Sequence, residues 1–431
     1  MGTIDQERVA AELELLRRLG PRLSGSAEHA ALVEHIAADL RGAGLVVAED
    51  RHRFTRWDPP AAPRLTAGGR AVPIASVFPY SGAGRVRGPL VRVRRGRWSA
   101  ARDAIAVVHV RNRELPLDAI VPVWKGSAPW GALAHPLIAA TLAGLGLGRA
   151  KRAGVRGVVF VWKGLTEDAA RGQYVPFTLP YQDIPAVFVT EDVAGDGELD
   201  VPADLVDAEM KTVWTVVEGT SAPRETVLVV THTDGTNEVE ENGHIAMLAM
   251  ARDLVRTPPR RTVVLAFVAG HLRIPAVSDH GQAASRWLAD HPELWRGRAV
   301  AGLGVEHLGA VAPDLLYAST AAMRDLVAAH WSGTTPLRVS KPGPLIQFGE
   351  GEPLHQAGIP TISLVSSPVG LLSTEPQPVD LDLLHRHVDS FRALLRRCDE
   401  ADDLGVVEPA GAWDKAKAVG RIAVKLPGAL R

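Results

Sequence analysis

The sequence predicts an α/β protein with a helix-flanked, largely parallel central sheet and a smaller β-rich domain inserted into it. Strand-like and helix-like segments alternate regularly over residues 226–397, which is typical of a parallel sheet covered by helices. The runs ETVLVVTHTD and RTVVLAFVAG are almost continuously apolar, as expected for central strands that are buried on both faces. Between Gly88 and Asp204 the alternation gives way to short strand-like runs. We therefore predict an inserted domain there.

Length and composition narrow the possible functions. A chain of 431 residues allows two or three domains and a core large enough to fold without a metal. The 48 Lys and Arg residues nearly balance the 49 Asp and Glu residues, which argues against a general nucleic-acid-binding protein. The single Cys398 excludes a disulfide framework and a multi-cysteine metal site. With no membrane-length apolar run and no signal-peptide core, we expect a cytoplasmic protein that does not bind membranes.

Hydrophobic periodicity predicts the elements in chain order. The first 45 residues contain two amphipathic helices, interrupted at Gly20-Pro21 and ending before Gly44. The predicted elements of the insertion are strands Ala104–Val110, Val155–Trp162 and Ile184–Thr190 and a helix at Pro136–Lys151. After the insertion, the predicted strands are Thr226–Thr231, Thr262–Ala269, Val300–Glu306 and Thr361–Val365. The predicted helices there are Gly243–Val255, His280–Leu288, Ala321–Trp331 and Leu381–Arg397. We assign residues 1–87 and 205–400 to the main domain, 88–204 to the insertion and 401–431 to a C-terminal tail.

Polar side chains follow three of the predicted strands, at the sheet edge where α/β proteins bind ligands. They are His232, Asp234, Glu240 and Glu241 after the first strand, His271 after the second and Glu306 at the end of the third. Imidazole and carboxylate are the groups that zinc prefers when no thiolate is present. Asp234 is close enough in sequence to orient the His232 ring. Each residue alone is also compatible with a structural role, such as favourable negative charge before a helix. Their convergence favours a functional cluster.

Six segments occur in an order shared with one known family. They are GPRLSGSAEHAALVEHIAADLRGAGL, GVRGVVFVW, IPAVFVTEDV, ETVLVVTHTD, ENGHIAMLAMARDL and QAGIPTISLV. Together they resemble the zinc aminopeptidases and carboxypeptidases, a family that includes bacterial leucyl aminopeptidases, glutamate carboxypeptidase and glutaminyl cyclases. The resemblance implies a zinc-exopeptidase fold for the main domain and a protease-associated domain at residues 88–204.

This family binds two zinc ions beside a catalytic Glu, and the resemblance carries over some of these positions. It implies that His232 is a metal ligand and that Asp234 orients it. Glu306 stands in place of the family's Asp after the third strand. Gly270-His271 replaces the family's paired Glu residues. The replacement removes the usual general base and puts an imidazole at a ligand position.

Two of the family's ligands are missing. Val239 occupies the position of the bridging Asp, with Glu240 or Glu241 as candidate replacements, and Ser373 occupies the position of the final His. Because a two-metal site requires a bridging carboxylate, we expect one zinc ion or none. The ligands expected from the resemblance are His232, Asp234, Glu241, His271 and Glu306. A site with three protein ligands would still leave a position for water or substrate.

The expected function is that of a divergent, aminopeptidase-like hydrolase acting on an amide or related carbonyl bond of a peptide or small molecule. His271, Glu240 and Glu241 are the candidates for proton transfer. Glu350, Glu352 and His307 are the candidate substrate-binding residues, although the glycines of FGEGEPL are also typical of a tight turn.

Two alternatives remain open from the sequence. Loss of the paired Glu residues is compatible with cyclisation or acyl transfer, because glutaminyl cyclase shares this fold. Loss of metal ligands is also compatible with a non-catalytic binding or assembly protein, as in the related transferrin receptor. The oligomeric state does not follow from the sequence.

Overall fold

The computed structural model describes residues 5–94, 96–117, 121–272, 283–344, 347–408 and 411–420. In chain order its strands are β1 (Val47–Asp58), β2 (Arg64–Ala67), β3 (Arg70–Ala71), β4 (Ser76–Val77), β5 (Gly84–Arg92), β6 (Ile105–Arg111), β7 (Leu115–Pro116), β8 (Ala132–Leu133), β9 (Gly157–Lys163), β10 (Ala186–Val189), β11 (Gly195–Val201), β12 (Asp204–Val217), β13 (Ala222–His232), β14 (Arg261–Val268), β15 (Ala299–Gly304), β16 (Leu315–Ala318), β17 (Val339–Ser340) and β18 (Thr361–Val365). Its helices are α1 (Gln6–Leu19), α2 (Ala27–Gly42), α3 (Pro136–Gly144), α4 (Leu147–Arg152), α5 (Glu167–Ala170), α6 (His244–Arg256), α7 (Ala283–Asp290), α8 (Pro292–Trp295), α9 (Ala321–His330), α10 (Gly351–Gln356) and α11 (Leu381–Glu400), with a 3-10 helix at Trp98–Ala101 and a helical segment at 412–420.

The main sheet has the strand order β1-β12-β14-β13-β15-β18-β16-β17. Its four central strands, from β14 to β18, pair in parallel, whereas β1, β12 and β16 pair antiparallel to their inner neighbours. Helices α2, α6, α9 and α11 contribute buried apolar side chains to the core beside this sheet. The prediction of a helix-flanked, largely parallel sheet is confirmed. The start of the helix predicted at His280–Leu288 lies outside the described residues.

Strands β1 and β12 were not predicted from the sequence. They form a long antiparallel pair at the edge of the main sheet. In β1, charged or polar residues occupy most positions, and only Phe54 and Trp57 are fully buried. An edge strand of this kind lacks the continuous apolar run that identifies a central strand. Its sequence is also too polar to show a clear alternation of apolar and polar residues.

A second eight-stranded sheet, of order β3-β2-β11-β5-β6-β9-β10-β4, forms the inserted domain. Its strands span Arg64 to Val201, so the predicted boundary at residue 88 requires correction. That boundary falls inside β5, and β2, β3 and β4 before it belong to the same sheet. The error arose because Pro, Gly and Ala residues break residues 54–88 into strands too short to show periodicity.

The inserted domain packs against the carboxyl edge of the main sheet. The backbone N–H of Tyr174 donates to the carbonyl oxygen of Leu372 at 2.7 Å. The rings of Trp130 and Tyr317 lie 4.9 Å apart between centroids. One apolar cluster contains aromatic side chains of the insertion together with Val239 of the main domain. The insertion therefore forms a roof over the loops that follow the central strands.

Part of the predicted tail packs on the main domain. Leu404 and Val407 are buried, and Thr320 Oγ1 donates to the carbonyl oxygen of Leu404 at 2.6 Å. Trp413, in the helical segment, is 69% exposed. No helix among the described residues is long and apolar enough to cross a membrane.

Candidate metal centre

Three parallel strands bring the candidate side chains to one edge of the main sheet. β13 ends at His232, while Gly270-His271 and Glu306-His307 follow the ends of β14 and β15. Because β13 pairs in parallel with both neighbours, the three ends meet at the same edge. Side chains that are distant in sequence therefore lie together, as the strand-end pattern predicts.

Two histidines and one glutamate form the first group of possible metal ligands. The rings of His232 and His271 are stacked, with centroids 4.0 Å apart and an interplanar angle of 16°. The Nε2 atom of each ring lies 3.9 Å from Oε1 of Glu240. One donor atom from each residue lies within 4.8 Å of the others. The three side chains are thus close enough for one ion to contact all of them.

The other nitrogen of each ring is bound to an oxygen acceptor. Nδ1 of His232 donates to the backbone carbonyl oxygen of Asp234 at 2.8 Å. Nδ1 of His271 donates to Oε1 of Glu350 at 2.7 Å, and Glu350 Oε2 accepts the N–H of Ala284 at 2.8 Å. A histidine held in this way can present its Nε2 lone pair to a metal, and metal-binding histidines usually have such a partner.

Three atoms of the cluster are buried without a hydrogen-bond partner among the described residues. They are Nε2 of His232, Oε1 of Glu240 and Oε2 of Glu306. Buried polar groups nearly always have partners, and leaving one unpaired costs about 1–3 kcal/mol. A cation bound beside His232 and Glu240 would satisfy two of these atoms, so the side chains present fit a metal ion.

His307 belongs to a second possible group with His232 and Glu306, but its hydrogen bonding suits another role. Its Nδ1 accepts the backbone N–H of Ser366 at 3.0 Å. The neutral ring therefore carries its proton on Nε2 and offers no lone pair there. His307 also has φ +56°, a conformation that is uncommon outside glycine and concentrates at functional sites. These features favour a role for His307 as a hydrogen-bond donor rather than as a metal ligand.

Burial and neighbouring charges shift the pKa values in this cluster. Burial raises the pKa of Glu240 to about 8 and that of Glu306 to about 7. Burial and the charge of His271 lower the pKa of His232 to about 3, which keeps this ring neutral. Burial disfavours the charged form of His271, but the bond to Glu350 outweighs it and the pKa is raised to about 10. Metal binding must therefore displace protons at neutral pH.

Solved structures of aminopeptidases share this architecture. An aminopeptidase from Aneurinibacillus sp. strain AM-1 aligns with a TM-score of 0.64 at 15% identity, covering 94% of this chain and 97% of that one. A zinc aminopeptidase from Bacillus subtilis gives 0.64 at 17% identity, with 95% and 97% covered. A peptidase M28 precursor from Shewanella amazonensis SB2B gives 0.67 at 15% identity, with 94% and 98% covered. The chain has the fold of the zinc aminopeptidases.

The resemblance stated from the sequence is thus confirmed at the level of the fold. No protein-family model matches the chain, and a search of curated proteins finds no match.

Asp234 contacts the His232 ring through its backbone carbonyl oxygen, whereas its carboxylate binds other groups. Oδ1 of Asp234 accepts the N–H groups of Gly270 and His271 at 3.0 and 3.2 Å. Oδ2 accepts the N–H of Leu272 at 3.0 Å. The carboxylate therefore binds the backbone after β14 and, through Oδ2, the Ser24 hydroxyl, while the backbone carbonyl of Asp234 orients His232. Asp234 positions the strand end in this chain and is not part of either group of possible ligands.

Glu241 also lies outside the ligand groups, although it was a predicted ligand and proton-transfer residue. Its Oε2 accepts a hydrogen bond from Nε of Arg22 at 3.1 Å, and its Oε1 lies 3.1 Å from Nδ1 of His244. Both the Arg22 and the Glu241 side chains are completely buried. This ion pair directs Glu241 away from the histidines, and the neighbouring Glu240 faces them instead.

The two glutamates of the FGEGEPL segment have different environments. Glu350 is fully buried and holds His271, so it lies in the cluster but supports a ligand. Glu352 is partly exposed on α10, where it accepts a hydrogen bond from Gln356 at 3.0 Å.

Gly349 has φ +80°, and a Cβ there would lie 2.6 Å from Oε2 of Glu306. Glycine is needed at this position both for the turn and for close approach to Glu306.

At the positions where the resemblance would place further metal ligands, this chain has residues that make packing or backbone contacts. Val239 is buried in the apolar cluster shared with the insertion. Ser373 donates through Oγ to the carbonyl oxygen of Arg171 at 2.7 Å. Gly270 has φ +100°, a conformation that a glutamate would rarely adopt. These positions are therefore adapted to packing and backbone geometry rather than to metal binding.

The insertion closes the cluster from above. The ring of Phe177 lies 5.7 Å from that of His271 between centroids, and the Tyr80 hydroxyl donates to the carbonyl oxygen of Leu272. The most exposed of His232, Glu240, His271, Glu306 and His307 is His271, at 9%. The low exposure explains the large pKa shifts and limits the size of any ligand that reaches the cluster in this conformation.

Several supporting residues were missed by the sequence reasoning. Asn237 Nδ2 donates to the carbonyl oxygens of Leu371 and Ser373, both at 2.8 Å, and its Oδ1 accepts the N–H of Glu240 at 3.1 Å. The hydrogen bond between Asn237 and the nearby Glu240 is local, and Asn side chains commonly form turns of this kind. The bonds to Leu371 and Ser373, like the contact of Phe177, depend on tertiary packing and leave no signal in the sequence.

Proposed function

We propose that this chain is a metal-dependent hydrolase that cleaves an amide or related carbonyl bond of a peptide or small molecule with a single zinc ion. The stacked pair of His232 and His271 carries the proposal, because both Nδ1 atoms are bound to oxygen acceptors and both Nε2 atoms lie near Glu240. The absence of thiolates and the presence of imidazole and carboxylate favour zinc. The fold shared with zinc aminopeptidases supports the same choice.

His232, His271 and Glu240 would hold the ion. When bound, zinc polarises a carbonyl group and lowers the pKa of water, and three protein ligands leave a coordination position open. Glu240 is fixed by a hydrogen bond from the N–H of Thr236 to its Oε2, at 3.0 Å. Glu350 fixes the ring of His271. Because His271 and Glu240 serve as ligands here, the proton acceptor must be a different group.

Glu306 is the residue we assign to proton transfer. Its Oε1 accepts the backbone N–H of Glu350, while its Oε2 has no partner among the described residues. Burial raises the pKa of Glu306 to about 7, the range in which a general base is effective at neutral pH. His307 Nε2 lies 3.9 Å from Oε2 of Glu306. From there it can donate a hydrogen bond to a carbonyl oxygen that gains negative charge.

A substrate-panel assay tests this assignment. Untagged protein, first stripped with a chelator and then supplied with zinc, manganese or cobalt, is incubated with aminoacyl amides, esters and short peptides, including N-terminal glutaminyl peptides. Glu306→Gln should lower kcat by at least about 100-fold, the effect typical of a general base, while metal content stays unchanged. Glu167→Gln, a change at an exposed glutamate of α5, is the control and should retain wild-type turnover. Equal rates in Glu306→Gln and wild type would remove Glu306 from the mechanism.

The burial of the cluster beneath the insertion also supports a second candidate, a non-catalytic binding or assembly protein. Mass spectrometry of the same reactions separates the candidates. Addition of water to the substrate indicates hydrolysis, whereas loss of ammonia from a glutaminyl peptide indicates cyclisation. A wild-type protein that is silent across the panel with every metal would favour the binding protein.

A further inference from the structure

A groove in the inserted domain lies at the carboxyl edge of its parallel strands. β5, β6 and β9 pair in parallel, and residues at and just beyond the ends of β5 and β6 line a cavity of about 700 Å³. The carboxyl ends of parallel strands are where open α/β sheets bind ligands. This position makes the groove a candidate binding site separate from the metal centre.

The lining of the groove is strongly basic. Its polar lining side chains are Arg92, Arg94, Arg111, Arg113, His109 and His135, and no Asp or Glu is among the described lining residues. Nη2 of Arg92 lies 3.0 Å from Nδ1 of His109. Neither Arg94 nor Arg111 forms an ion pair with a described residue. Such a concentration of guanidinium groups favours a ligand with several carboxylate or phosphate groups.

Carboxylates near the groove do not neutralise it. Asp192 lies 2.7 Å from Nε2 of His109, but it is also paired with Lys163 at 2.9 Å. Glu114, beside Arg113 in the sequence, is exposed and is not among the lining residues. Among the described residues, no carboxylate pairs with Arg94 or Arg111, so the charge of these two arginines is available to a bound anion.

The spacing of the arginines matches an extended peptide. Arg92 pairs with Val107 in the parallel register of β5 and β6, so Arg111 lies four residues further along the strand direction than Arg92. Four residues of extended chain span about 13 Å. Carboxylates four residues apart on an extended ligand can therefore meet the arginines at the ends of the two strands.

The opposite side of the groove is apolar. One face of α3 contributes the side chains of Ile138, Ala139, Leu142 and Ala143. Leu142 borders the groove and is 46% exposed, so part of this apolar wall is in contact with solvent. A compact anion such as phosphate would reach only neighbouring guanidinium groups and would leave this apolar wall uncovered. A peptide with acidic side chains on one face and apolar ones on the other covers both surfaces.

We propose that this groove binds an extended acidic peptide, with its carboxylates on Arg92, Arg94 and Arg111 and its intervening apolar side chains on α3. Binding there goes beyond the proposed hydrolase function and requires no catalysis.

Fluorescence anisotropy with a fluorescein-labelled Leu-Glu-Leu-Glu-Leu-Glu peptide tests the proposal. Arg94→Glu/Arg111→Glu should weaken binding by at least about 10-fold, since two ion pairs become repulsive. Arg64→Glu is the matched control, because Arg64 is an exposed arginine on β2 of the same sheet, separated from β5 by β11. It should bind as wild type does. If the double reversal fails to fold by circular dichroism, Arg94→Gln/Arg111→Gln replaces it.

Four results would overturn the proposal. The wild type could fail to bind the peptide, or could bind a Leu-Gln-Leu-Gln-Leu-Gln peptide equally well. Arg64→Glu could lose as much affinity as the double variant, which would indicate attraction to overall charge. Inorganic triphosphate could displace the peptide with higher affinity, which would make the groove a phosphate site. None of these readings involves turnover, so they are independent of the hydrolase assay.

Discussion

Replacing Asp234 with Asn should destabilise the main domain by about 3 kcal/mol. Oδ1 of Asp234 accepts two backbone N–H groups, from Gly270 and His271, and Oδ2 accepts the N–H of Leu272 and the hydroxyl of Ser24. An amide keeps one acceptor but turns its NH₂ group toward the N–H of Leu272. Loss of a hydrogen bond to a charged group costs about 1.5–3 kcal/mol, and the unpaired N–H adds to this.

The assay is urea unfolding in the presence of a chelator, followed by circular dichroism, so that metal binding does not contribute. Asp168→Asn is the matched control. Asp168 is 90% exposed and lies 3.2 Å from Arg171, and a surface pair of this kind contributes less than about 1 kcal/mol. If Asp234→Asn unfolds within about 1 kcal/mol of the wild type, the carboxylate does not hold the end of β14 and the argument fails.

Three further predictions concern the cluster and its support. His271→Ala should lower turnover and zinc content together, because it removes a ligand; unchanged turnover would exclude His271 from the mechanism. Arg22→Met should cost about 3 kcal/mol in urea unfolding, since it removes the guanidinium bound to the buried Glu241 carboxylate and leaves His244 as the remaining partner, and adding Glu241→Gln should recover part of that loss; a double variant no more stable than Arg22→Met would contradict this. Zinc affinity, measured against a competing chelator, should fall by up to about 100-fold for each pH unit from 8 to 6, because zinc must displace one proton from each of two ligands, Glu240 and His271, whose pKa values are raised to about 8 and about 10; an affinity independent of pH would refute the assignment.

The central strands could be predicted because burial on both faces demands continuous apolar runs, as in Val227–Val230 and Val263–Val268. The polar edge strand β1 and the short strands before residue 88 carry no comparable signal. Their pairing depends on partners far along the chain, such as that of Val47 with Thr215. For this reason the boundary of the insertion could not be read from local patterns.

The site was predictable to the level of the strand ends. His232, His271 and Glu306 follow parallel strands, and topology alone brings them together. The choice between the adjacent Glu240 and Glu241 could not be made from the sequence, because it is set by Arg22, which lies 219 residues from Glu241 along the chain.

The metal content of untagged protein tests the central claim most directly. We predict one zinc ion per wild-type chain by elemental analysis, and none in His232→Ala, with the variant still folded because a core of this size does not depend on the ion. His35→Ala, a change at a partly exposed histidine paired with Glu12, should keep the wild-type content. Two ions per chain, or wild-type zinc in His232→Ala, would contradict the proposed single-metal site.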